Sequence, residues 1–103
     1  INAKPCIDVD EVKQALLLNK NVKVIDVRSD EEFKEAHIPN AIHISLQELP
    51  IQINQLNKNY QYVITCGKGG GRSAAGAKLL ADYGFNAKWL CGGTFGWLNI
   101  NPN

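Results

Sequence analysis

The sequence predicts an α/β domain with a mostly parallel central sheet flanked by helices. Short runs of β-branched and aromatic residues recur near 22–27, 42–44, 61–65 and 87–90. Between them lie stretches with helical apolar spacing and helix-capping residues. Strands that alternate with helices in this way pair in parallel, because each helical crossover returns the chain to the same end of the sheet.

The first helix is expected after Asp8, an N-cap with Glu11 three residues on, and its core stripe is Val12, Leu16 and Leu17; Asn19 and Asn21 end it. Val22 to Val27 is an apolar strand that runs into Asp26 and Arg28. Ser29 to Glu32 then forms a capping box that launches a short helix through Ala36. His37 to Ile44 is a turn followed by a short strand, with His37 bonded to a loop and His43 on the face opposite Ile42 and Ile44. Leu46, Leu49, Ile53 and Leu56 share one helical face that Pro50 interrupts, which predicts a kinked helix or two short turns.

The stretch from Tyr60 to Phe85 organises the rest. Gln61 to Thr65 (QYVIT) suits a buried strand. Cys66 to Gly71 (CGKGGG) has four glycines in six residues and nothing to build a core. From Ser73 the chain turns helical, with Ala77, Leu80 and Ala81 on one stripe and Gly84 as C-cap. Ala87 to Leu90 is a last strand, the aromatics of Thr94 to Leu98 are core plugs, and Asn99 to Asn103 is a frayed tail.

Cysteine reacts as its thiolate, a form favoured beside a helix N-terminus. Successive N–H groups of a tight glycine loop form a concave anion nest, whose curl needs positive φ and close backbone approach. Arg72 and Lys68 add positive charge around it, and Arg72 can grip an oxyanion bidentately. Cys66 and Arg72 are therefore the candidate catalytic residues, and Gly67, Lys68, Gly69, Gly70, Gly71, Arg72 and Ser73 the candidate substrate cradle. A GxxxxGK[ST] phosphate loop is excluded, since Gly67-Lys68 is followed by Gly69. Asp26 and Arg28, at a strand's carboxyl end, are expected either to fix a loop as an ion pair or to approach the substrate.

Length and composition bound the rest. The 103 residues make a single domain, 1–103, and a net charge of +1 argues against bulk binding of nucleic acid or an anionic membrane. No apolar run is long enough to span a bilayer. The absence of methionine fits a processed chain or a domain excised from a larger protein. Cys6, Cys66 and Cys91 lack metal-ligand spacing, so no metal site is expected. Their odd number suggests a working thiol more than a disulfide framework, in a cytoplasmic setting. Cys91 is read as a buried strand-end thiol or, more sharply, as a resolving thiol that attacks an oxidised or persulfidated Cys66.

Three segments resemble the rhodanese-homology family of single-domain sulfurtransferases over nearly the whole chain. They are VIDVRSDEEFKEAHIPNAIHI (Val24 to Ile44), ITCGKGGGRSAAGAKLL (Ile64 to Leu80) and CGGTFGW (Cys91 to Trp97). The resemblance implies a rhodanese-like fold and an enzyme whose Cys66 takes a sulfane sulfur from a small anionic donor such as thiosulfate, or from a persulfide. Cys66 then passes that sulfur to a thiol, a cyanide-type acceptor or a protein, with no metal or organic cofactor. The loop departs from the family pattern. Cys66 to Arg72 reads Cys-x5-Arg, one residue longer than usual, and is similar to the loops of the related dual-specificity phosphatases and arsenate reductases. Thr65 stands where those phosphatases often carry His, and the loop has no acid to protonate a leaving group. A third reading is a catalytically idle module that docks partners or senses redox state.

Overall fold

The computed structural model describes residues 6–18 and 20–100. Strand β1 (Cys6–Ile7) leads into α1 (Val9–Leu17), β2 (Val22–Asp26), α2 (Asp30–Glu35) and β3 (Ile42–His43). The second half follows with α3 (Leu49–Gln52), a 3₁₀ turn (Ile53–Gln55), β4 (Gln61–Thr65), α4 (Gly71–Asp82), β5 (Asn86–Leu90) and α5 (Gly93–Leu98). The sheet order is β1-β5-β4-β2-β3 and every pairing is parallel, as the strand–helix alternation predicts.

Strand alternation sends side chains to two cores. Ile25, Tyr62 and Ile64 face the side covered by α3 and α4, where Leu49, Ala77, Leu80 and Phe85 complete the packing. Val22, Val24 and Val63 face the side where Val12, Ile38 and Leu90 pack, with Trp97 at the edge. Register aligns Asp26 with Thr65 and Ile64 with Trp89. The carboxyl ends of the three central strands therefore share one edge, where an open parallel sheet places its ligands.

Several elements form as their sequence dictates. Ser29 and Glu32 make the reciprocal capping box of α2. At the end of α4, Phe85 N donates to Leu80 O and Gly84 N to Ala81 O, the paired bonds of a Schellman turn with Gly84 just past the helix. The Leu46–Leu56 segment resolves into two short turns. Pro50 opens α3 instead of breaking it, since the first helical turn needs no N–H from it.

Other expectations need correction. In α1 only Val12 is buried, while Leu16 and Leu17 are 39% and 82% exposed. The helix rests on the sheet through Val9, Val12 and Ala15, a stripe that turns both leucines outward. The expected end of α1 at Asn19 lies outside the described residues. In α4 the buried stripe is Ser73, Gly76, Ala77 and Leu80, and Ala81 faces solvent. Thr94 to Leu98 forms α5, with Phe95 and Trp97 only half-buried and Thr94 fully buried. Two-residue β1 has no counterpart among the predicted strands. It pairs with β5, and Cys6 forms a disulfide with Cys91 at a Cα separation of 5.1 Å. Two of the three thiols are thus joined and Cys66 is the free one.

Leu80, with no exposed surface, fills the core between α4 and β4. Leu80→Ala should lower unfolding free energy by about 2–5 kcal/mol, the range for truncating a buried leucine. Urea denaturation followed by circular dichroism measures it, and a loss below about 1 kcal/mol would contradict this packing.

Candidate active site

Cys66 leaves the end of the central strand β4 and lies 5% exposed beneath the loop that leads into α4. Gly69, Gly70 and Gly71 take φ of 93°, 78° and 46° in succession. Only glycine accepts such a run without strain, which is why the loop can curl over the sulfur. The N–H groups of residues 67–72 make no hydrogen bond among the described residues, so a row of backbone donors is left unspent in the loop that follows the thiol.

Two groups reach the sulfur directly. Sγ of Cys66 lies 3.2 Å from Gly70 O, to which it donates, and 3.2 Å from Ser73 Oγ. Ser73 Oγ in turn donates to Gly70 O at 2.9 Å. Ser73 is fully buried, so its hydroxyl is held against the sulfur.

The loop is supported from behind by α5. Thr94 N donates to Cys66 O at 2.8 Å and Phe95 N to Gly67 O at 3.0 Å. Thr94 Oγ1 meets Thr65 Oγ1 at 3.0 Å, which ties the first turn of α5 to the end of β4. Gly93 is wedged so closely that a Cβ there would lie 2.7 Å from Cys66 O and 2.7 Å from Gly69 N, besides striking Gly67 O. Sequence reasoning did not assign Gly93, Thr94 and Phe95 to the site, although the Cys91–Trp97 segment containing them had been singled out.

Arg72, at the start of α4, points its guanidinium at Glu32. Nη1 and Nη2 donate to the two carboxylate oxygens at 2.8 and 3.1 Å. This bond is the main cause holding the Glu32 carboxyl down at about 2, with Ser29 at the helix cap adding to it. The same bond pushes Arg72 upward. The bidentate grip expected of Arg72 is therefore present, with a carboxylate of the chain itself in the oxyanion's place. Lys68 is exposed and makes no ion pair among the described residues.

Asp26 and Arg28 form the buried ion pair. Arg28 Nη2 lies 2.8 Å from Asp26 Oδ2, and Arg28 Nε and N both donate to Oδ1 at 3.0 Å. Nη2 also donates to Ala36 O at 2.7 Å, which pins the end of α2. Both side chains are at most 2% exposed, and the pair ties the end of β2 to the end of α2. His37 bonds Phe33 O at 2.7 Å and His43 bonds Arg28 O at 2.8 Å, and both rings stack on Phe33. Cys91 is corrected from a resolving thiol to the partner of Cys6, bonded away from Cys66.

A cleft of about 110 Å³ adjoins the loop, lined by Arg28, Glu32, Glu35, Ala36, Phe95 and Ile100. A larger cleft, lined by Asp10, Gln14, Gln61 and Lys88, includes the amino end of β4, and another lies between α1 and α5, lined by Asp8, Lys13, Gly96 and Trp97. No cluster of three metal-ligating side chains occurs among the described residues. No helix among them is long and apolar enough to cross a membrane.

A free cysteine at the carboxyl end of a central parallel strand, roofed by a glycine loop that opens a helix, defines a class of α/β domain built around one free sulfur. The chain belongs to the rhodanese-like domain family, which it matches over residues 8–100. It is 35% identical over 86 residues to YtwF of Bacillus subtilis, covering 84% of this chain and 82% of that protein. It is 29% identical over 89 residues to the thiosulfate sulfurtransferase GlpE of Tolumonas auensis, covering 85% and 83% of the two chains. Among solved structures, a rhodanese-like domain protein from Staphylococcus aureus superposes with a TM-score of 0.81 at 41% identity, covering 89% of each chain.

Two outcomes follow from this geometry. Gly93→Ala should push the loop off its support and cut reactivity of Cys66 with a small anionic sulfur donor by at least tenfold, as angstrom-scale misplacement does. A near-normal rate would mean that the loop adjusts freely. Separately, the depressed carboxyl of Glu32 stabilises the fold above its ordinary value of 4.5, and that contribution fades as pH falls toward about 2. Glu32→Gln should flatten the acid side of the stability curve in that window. A curve parallel to wild type would show that the pair contributes nothing to folding.

Proposed function

We propose that the chain is a sulfurtransferase that carries a sulfane sulfur on Cys66. The observation that carries this reading is the free, buried thiol followed by an unspent row of N–H donors. The thiolate of Cys66 attacks the outer sulfur of thiosulfate or of a persulfide. The donor's S–S bond breaks, sulfite or a thiolate leaves with its electron pair, and Cys66 becomes a persulfide. An acceptor thiolate then attacks the outer sulfur, takes it away as its own persulfide and returns Cys66 as a thiolate.

Each loop feature has a part in this cycle. The N–H groups of residues 67–72 stabilise the negative charge on the thiolate and then on the persulfide's outer sulfur. Ser73 Oγ, already against Sγ, turns its hydrogen to the sulfur once the thiol proton has left. Lys68 and Arg72 attract an anionic donor. The adjoining cleft beside Phe95 gives room to the remainder of a donor or acceptor. The similarity to the thiosulfate sulfurtransferase GlpE supports thiosulfate as one such donor.

The longer Cys-x5-Arg loop supports a second reading, a Cys-based phosphatase or arsenate reductase. A phosphatase of that type needs a neutral acid near the leaving group. The carboxylate closest to the loop's arginine, Glu32, is held ionised down to about pH 2 and cannot serve at neutral pH.

Intact mass after incubation with thiosulfate tests the proposal. One added sulfur atom is expected, released by cyanide or a thiol and absent in Cys66→Ser. No added sulfur, with phosphate release from an aryl phosphate or reduction of arsenate, would replace the proposal by the second reading.

A further inference from the structure

Glu32 stands in two places at once. Its carboxylate accepts from Ser29 N and pairs with Ser29 Oγ, both at 3.1 Å, which fixes it at the N-terminus of α2. The oxygen that does so, Oε1, and Oε2 beside it together fill the fork of Arg72, the arginine that ends the catalytic loop. A guanidinium fork presents its paired N–H groups in one plane and matches one planar or tetrahedral set of oxygens at a time. Any oxyanion that uses this fork must therefore displace the carboxylate.

We infer that Glu32 sets the donor preference of the Cys66 site by competing with oxyanionic donors for Arg72. The inference rests on the sulfur-transfer reading above and adds a residue that this reading does not use. A donor without paired oxygens, such as an alkyl persulfide that carries no carboxylate, has no need of the fork and is held by the loop N–H groups alone. Thiosulfate gains the Nη1/Nη2 edge of Arg72 only by breaking the Glu32 pair, so Glu32 tilts the site away from it. Lys68 still draws either kind of anion toward the loop.

Glu32→Gln tests this while leaving the capping box a side chain that suits it. The first readout is binding: the sulfate concentration that half-protects Cys66 from iodoacetamide in the intact chain. The variant should need about three- to fivefold less sulfate, the upper range for an exposed ion pair. The KM for thiosulfate should fall by the same factor, with kcat unchanged, while the KM for an alkyl persulfide that carries no carboxylate stays put. With Arg72→Gln already present, adding Glu32→Gln should move neither quantity.

Equal sulfate protection in wild type and Glu32→Gln would overturn the inference. So would a shift that survives in the Arg72→Gln background, since that would reflect loss of a negative charge and not release of the fork. If sulfate protection responds to Glu32→Gln but Cys66 gains sulfur from neither donor, the competition stands and the sulfur-transfer reading is the part that fails.

Discussion

The structure depends on two backbone hydrogen bonds, from the amides of Thr94 and Phe95 to the carbonyls of Cys66 and Gly67. They spend the loop's first two carbonyls on α5 and leave its amides unspent. A peptide loop becomes an anion site when its conformation turns successive N–H groups to one side, and carbonyls bonded elsewhere help to hold that conformation. Here those carbonyls are bonded to the first turn of α5, brought up by β5 and the close packing of Gly93 against the loop. The terminal segment therefore shapes the electrostatics around a cysteine more than two dozen residues earlier.

Charge near the site is largely internally matched. Asp26 satisfies Arg28 in the interior, and Glu32 satisfies Arg72 at the surface. Their different depths give them different roles. The buried pair cannot be separated without leaving an uncompensated charge, so it behaves as a fixed brace between β2 and the end of α2. The surface pair is weak enough to exchange. Much of the attraction for an anion is thus left to Lys68 and to the amide dipoles.

The local parts of this arrangement were legible in the sequence because their causes are local. A strand, a glycine run and a helix around Cys66 need only neighbouring residues, and so does the capping box of Ser29 and Glu32. What escaped depends on residues far apart in the chain. Arg72 and Glu32 are forty positions apart, and neither sequence neighbourhood signals the other. Leu16 and Leu17 fit a helical stripe, but a stripe does not say which side the sheet will cover. Thr94 to Leu98 looked like aromatic plugs because its two large side chains, Phe95 and Trp97, dominate so short a stretch. Its amides, which a side-chain reading ignores, are what the site uses.

The disulfide between Cys6 and Cys91 spans a sequence separation of 85. In the unfolded state it turns most of the domain into a closed ring. Loop-closure arguments put the entropy removed from that state at about 4–5 kcal/mol for a ring of this size. That is comparable to the whole net stability of many small domains. A domain whose core is modest, and whose central loop is a run of glycines with high conformational freedom to lose, thereby folds from a chain that has already surrendered much of its disorder.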